Sequence, residues 1–169
     1  NALVPLMEDG DLVLWESNVI VRYLCARYGA SQNLYPQDLA ARFDAERWMD
    51  WQQTTFNRAG GQAFLQLVRT APEARNTELV RQSVAATEPL LDLLNTHLQN
   101  RNYMGGDAFG MADIPLGCEM HRWWGMRGAQ FVACGVQRQE LQAFPHVQRW
   151  FGQLLQRPGG RGVLDITLS

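Results

Sequence analysis

Val80, Val84, Thr87, Leu91, Leu94 and Leu98 step along the chain by fours and threes. Only a helix with one buried face returns to the same side at that spacing; a strand alternates every second residue. The run predicts a long helix from Pro72 or Arg75 to His97 or Leu98, with Pro89 expected to kink it or reset its start. The same period governs most of the chain. Asp38 opens an earlier helix with Ala41, Ala45, Trp48, Gln52 and Thr55 on one stripe and Phe43, Trp51 and Phe56 beside it. Gly60-Gly61 is expected to break or kink that helix before Ala63 to Val68 resumes the pattern. Ile114, Leu116, Cys118, Met120 and Trp123 make a segment apolar nearly all round, which belongs at the centre of a bundle. Phe144-Pro145 starts a last helix with Val147, Trp150, Phe151, Leu154 and Leu155 on its buried face, and Arg157-Pro158-Gly159-Gly160 stops it. Gly125 to Gly135 reads as loop, and Arg161 to Ser169 as a short turn or helix packing back.

The first 29 residues keep a different rhythm. Val4 to Met7 reads as a strand, Glu8-Asp9-Gly10-Asp11 as a turn and Leu12 to Trp15 as a second strand. Glu16-Ser17-Asn18 is a helix start ahead of Val19 to Leu24. Two features there admit a plain and a chemical reading. Val4-Pro5 is either a trans proline at a sheet edge or a cis step that frees the Val4 N–H and C=O for an extended ligand. Glu16-Ser17 is either a simple helix cap or an anion site: helix-start N–H groups with the Ser17 hydroxyl suit a carboxylate, and the Glu16 carboxylate suits an ammonium. In the chemical reading the pair fits the head group of an α-amino acid. Trp48 is assigned to the core; Trp51 and Phe56 stay open between core and pocket wall, as do Arg122 and Trp124 between pocket and surface.

Val-Pro, an acidic turn and then Trp15-Glu16-Ser17-Asn18-Val19-Ile20-Val21-Arg22-Tyr23-Leu24 resembles the glutathione transferase family. Gly106-Asp107-Ala108-Phe109-Gly110-Met111-Ala112-Asp113-Ile114 is similar to that family's Gly-Asp-x-Phe-Ser/Thr-x-Ala-Asp-Ile segment. There Ser or Thr caps a buried helix and the Asp completes a capping box. Gly110 departs from the pattern, and Gly loses only a few tenths of a kcal/mol at a cap. The box makes Asp113 a folding residue that bonds back to Gly110, not a catalyst, and Phe109 suits a hydrophobic staple. Trp51 to Phe56 resembles the corresponding helix of theta-like bacterial members, whose face lines both a dimer interface and the electrophile pocket.

The resemblance implies a mostly α fold: a partial thioredoxin-like hairpin and helix (1–29), a linker (30–37, with Gly29 as helix end) and an all-helical C-terminal domain (38–169). It implies glutathione as a substrate, held through Val4 at its cysteinyl backbone and through Glu16 and Ser17 at its γ-glutamyl end. Leu3 stands where many members carry a polar residue. Trp51, Phe56 and Trp124 are candidates for the second-substrate pocket. The activity implied is conjugation of the glutathione thiolate to a small electrophile, in a detoxifying, cytoplasmic homodimer. A non-catalytic interaction module, disulfide reduction and dehalogenation are the alternatives. By the same resemblance the chain begins inside the N-terminal domain, after the β-α-β unit that carries the family's catalytic Ser, Tyr or Cys, so no catalytic residue is assigned. This chain alone is therefore expected to self-associate, to bind glutathione weakly and to conjugate it poorly.

Charge and cysteine usage fit that picture. Lys and Arg number 15 and Asp and Glu 17, scattered to a net −2, which offers no basic stripe to nucleic acid. No run approaches the ~18 apolar residues of a membrane span, and no signal peptide is expected. Cys25 and Cys118 read as reduced core thiols and Cys134 as a reactive loop thiol. His97, His121 and His146 lack ligand spacing and read as surface or helix-end residues, so no metal is expected.

Overall fold

The computed structural model describes residues 4–168; the departure noted at Leu3 lies outside them. Strands β1 (Leu6–Asp9) and β2 (Leu12–Trp15) pair antiparallel, with Leu6 opposite Trp15 and Asp9 opposite Leu12. The ladder lies two residues further along than the sequence indicates, so Glu8 and Asp9 are strand rather than turn. Gly10 is the reason: it takes φ +62°, the conformation a two-residue hairpin turn demands, and so fixes the turn at Gly10-Asp11. Helix α1 (Ser17–Tyr28) follows at once. The hairpin is tied to it where the Tyr23 and Tyr28 hydroxyls both donate to Asp9, at 2.7 and 2.6 Å. Gly29 is the C-cap of α1, its N–H donating to the Cys25 carbonyl, and the position has no room for a side chain: a Cβ there would lie 2.6 Å from the Cys25 carbonyl oxygen and 2.7 Å from Leu34 Cβ.

A long helical rod comes next. Helix α2 (Leu39–Trp51) is capped by Asp38, whose carboxylate accepts from the Ala41 N–H at 2.8 Å. A π turn (Gln52–Phe56), α3 (Asn57–Phe64) and a second π turn (Leu65–Arg69) continue it without a break. The helix does not break at Gly60-Gly61. Gly60 serves close packing instead, since a Cβ there would touch the Trp123 ring at 3.4 Å. The irregularities are the two π turns, each holding a buried glutamine, Gln52 and Gln66. Phe43 is 62% exposed and takes no part in the core.

Helix α4 (Thr77–His97) starts at Asn76, which caps the Glu78 and Leu79 N–H groups, and continues past Pro89 without a new start. All six stripe residues are buried, on both sides of the proline, so core packing carries the helix across the missing hydrogen bond. Helix α5 (Asp113–Gly125) is central, with Leu116, Met120 and Trp123 buried. The segment expected to be loop contains a short helix, α6 (Gly128–Ala133). Buried Phe131 and a bond from Gln130 Nε2 to the Leu67 carbonyl (2.9 Å) hold it, contacts that local sequence does not announce. Helix α7 (Pro145–Gln156) closes the bundle with Val147, Trp150, Phe151 and Leu154 buried and Leu155 half-buried.

The cysteines are redistributed relative to expectation. Cys25 is buried, and burial pushes its thiol up to about 11. Cys134 ends α6 and is buried, because the chain expected to loop there folds onto the core. Cys118 is exposed, on the side of α5 that lines two clefts.

Candidate functional site

Val4 and Pro5 are joined by a cis peptide bond, and Val4 is 93% exposed just ahead of the first ladder pair. Glu16 is the hinge between β2 and α1. Its backbone sits at φ 72°, ψ 112°, a region that side-chain-bearing residues rarely occupy and that clusters at functional sites. Its side chain makes no cap. The Ser17, Asn18 and Val19 amides, the open donors of the first turn, meet no acceptor among the described residues, and the Ser17 hydroxyl is likewise free there. The helix start thus presents bare N–H groups, a hydroxyl and a neighbouring exposed carboxylate, which is the arrangement that receives a carboxylate beside an ammonium.

Two glutamines from the first π turn hold the residues flanking Ser17. Gln53 Nε2 donates to Glu16 Oε2 at 3.2 Å. Gln52 Oε1 accepts from Asn18 Nδ2 at 3.4 Å, and the same Nδ2 donates to the Met49 carbonyl at 2.8 Å. Gln52 Nε2 in turn donates to Glu119 Oε2 at 2.8 Å. Glu119 is 5% exposed; burial raises its carboxyl, opposed by Arg122 (3.5 Å) and by the Gln52 bond. Arg122 also donates to Asn57 Oδ1 at 3.0 Å and lies 4.7 Å over the Phe64 ring. Ser17, Gln52, Cys118, Glu119 and Arg122 line one cleft of about 200 Å³ between α1 and α5. The sequence places Gln52 on a helix stripe and Gln53 beside it, and marks neither of them nor Glu119 as a site residue. The available signal was a charged residue set inside the apolar α5 pattern.

Of the aromatic candidates for the second-substrate pocket, Trp51 and Phe56 pack together while Trp124 packs on other rings. Phe56 is fully buried; Trp51 is half-buried against it at 5.5 Å and against Trp48 at 5.3 Å. The exposed side of Trp51 faces a groove with Arg47 and Leu93. Trp124 packs on Phe144 and Phe151, at 6.3 and 6.5 Å. The Asp113 box is present: Oδ2 accepts from the Gly110 N–H at 2.8 Å. Its other oxygen takes the Met104 N–H (2.9 Å) and Trp150 Nε1 (2.7 Å), two partners the motif does not specify. Phe109 packs edge-on against Tyr103 and under Arg157. No group of three potential metal ligands occurs among the described residues, and none of their helices is long and apolar enough to cross a membrane.

A partial α/β unit with an open helix start, followed by an all-helical bundle, defines the class, and comparison with known proteins agrees. Residues 1–26 match the glutathione S-transferase N-terminal domain profile and residues 56–158 the C-terminal domain profile. The chain belongs to the glutathione S-transferase family. It is 37% identical to glutathione S-transferase GstB of Escherichia coli over 171 residues, covering 100% of this chain and 76% of that protein. The theta class glutathione S-transferase of Xanthomonas axonopodis pv. citri, solved with glutathione bound, superposes with a TM-score of 0.87 at 36% identity, over 100% of this chain and 75% of that one. Elongation factor 1-gamma 1 of Oryza sativa is 29% identical over 161 residues, 95% of this chain but 36% of that protein.

Proposed function

We infer that this chain binds the γ-glutamyl end of glutathione at the first turn of α1 and takes part in conjugating its thiol to an electrophile. The observation carrying this reading is the open helix start: three amides and a hydroxyl without acceptors among the described residues, beside an exposed Glu16. Ser17 and the free amides take the γ-glutamyl carboxylate, and Glu16 takes its ammonium. The exposed Val4, outside the ladder, pairs its N–H and C=O with the cysteinyl backbone. In the reaction the thiolate sulfur bonds to the electrophilic carbon, the leaving group departs with its electron pair, and the thiol proton passes to solvent. No residue of this chain is assigned to thiol activation. The domain division at residues 29 and 38, homodimerisation and a cytoplasmic setting belong to the same proposal, and a small electrophile is the second substrate.

The test is calorimetric titration with glutathione. The wild-type chain is expected to bind saturably though weakly, Ser17→Ala to lose about tenfold in affinity, and Glu16→Gln a similar factor, each with an unchanged melting temperature. Equal affinities in all three would overturn the reading. A non-catalytic interaction module gains support only if no glutathione binds.

A further inference from the structure

Glu119 is a nearly fully buried carboxylate in the central helix, and nothing in the proposed chemistry uses it directly. Its surroundings give it a direction. The amide of Gln52 turns its NH₂ end to Glu119, Nε2 donating to Oε2 at 2.8 Å. That choice leaves Gln52 Oε1 facing α1, where it accepts from Asn18. Asn18 Nδ2 is also held by the Met49 carbonyl at 2.8 Å, so the chain Asn18 to Gln52 to Glu119 is anchored at both ends, with Glu119 as the acceptor that keeps Gln52 in place between them. The π turn makes the coupling double: it starts at Gln52 and places Gln53 on Glu16, so adjacent glutamines hold the residues on either side of Ser17. The Ser17 N–H and hydroxyl meet no partner among the described residues, and Ser17 lines the same cleft as Glu119. The charged and titratable groups facing Glu119 are Arg122 and Cys118 on its own helix, while α1 and the rod present only the neutral Ser17, Asn18, Gln52 and Asn57.

Resting on the glutathione reading, we propose that Glu119 is a positioning residue: through Gln52 it orients Asn18, and so holds Ser17 and the first turn of α1 in the geometry that receives the γ-glutamyl carboxylate. It touches neither glutathione nor the reacting atoms. A merely structural role would tie any loss of binding to loss of stability. A positioning role separates the two and allows rescue by an isosteric acceptor.

The experiment measures glutathione affinity, melting temperature and amide hydrogen exchange of the α1 segment in this chain and three variants. Glu119→Leu removes the acceptor. Glu119→Gln keeps an oxygen for Gln52 Nε2. Gln52→Met breaks the same chain while leaving Glu119 with Arg122, and serves if Glu119→Leu does not fold. Glu119→Leu and Gln52→Met are expected to weaken glutathione about tenfold and to speed exchange at the start of α1, with Glu119→Gln within about threefold of wild type. Wild-type affinity in Gln52→Met, or Glu119→Gln failing as badly as Glu119→Leu, overturns the positioning role while the glutathione site stands. Absence of glutathione binding by the wild-type chain overturns the site itself and the positioning role with it.

Discussion

Helices α1 and α5 both start beside a carboxylate, and the two starts are built in opposite ways. At α5, Asp113 is 1% exposed and collects three donors, from Gly110, Met104 and Trp150. At α1, Glu16 is exposed, makes no cap, holds a left-handed backbone angle and leaves the first-turn amides open among the described residues. The first start is closed, so its hydrogen bonds go into folding. The second is open, so its donors remain for something outside the chain. Around α5 lie Trp123, Trp150, Phe131 and Phe144, all buried. Around β1 and β2 lie Leu6, Leu12, Val13 and Trp15, each 39–52% exposed. A carboxylate near a helix start thus says little until its neighbours are counted.

The contrast can be broken most forcefully at Asp113. Asp113→Ala strands three buried or half-buried donors and is expected to destabilise the fold by about 3–5 kcal/mol in denaturant titration. Glutathione affinity of the folded fraction should change little. A large affinity loss without a stability change would erase the distinction between the two starts.

Next in size is the exposed hairpin. Apolar residues on an open two-stranded edge favour pairing between copies. The chain is expected to self-associate by light scattering, and the double variant Leu12→Lys, Val13→Lys to reduce this clearly without lowering the melting temperature. Equal scattering would place the sticky surface elsewhere.

A smaller effect concerns His97, which stacks on Trp48 at 4.4 Å. Burial lowers its pKa, opposed by a bond to the Met104 carbonyl. The unfolded chain therefore binds the proton more readily than the folded one. Its contribution is whole above the ordinary histidine value of about 6.5 and is lost as pH falls through the lower folded value. The melting temperature should decline by a few degrees across that window, less in His97→Gln. The smallest effect is expected from Tyr23→Phe with Tyr28→Phe. These remove the two donors that hold Asp9 below its usual range, Tyr28 the stronger. Faster proteolysis of the hairpin with an unchanged melting temperature would show that this end is held locally.

What the sequence made legible follows the same division. The α4 stripe, the α7 face and the Asp113 box were readable because helical period and capping are local, and each occupies one short run of chain. At Gly60, Pro89 and α6 the helix continues or forms where local sequence alone does not ask for it, and the supporting contact comes from far along the chain. Gly60 lies under Trp123, Pro89 is spanned by core packing, and α6 is held by Leu67. At the candidate site, Glu16 and Ser17 stood out as residue types at a helix start. Glu119 did not, since its bond to Gln52 spans 67 positions.

The most direct measurement of the central claim is an amide chemical-shift map of the labelled chain titrated with glutathione. The account expects saturable shifts at Val4, Ser17, Asn18 and Val19, with α4 and α7 unmoved. Saturable shifts confined to the helical bundle, or none at the start of α1, would contradict it.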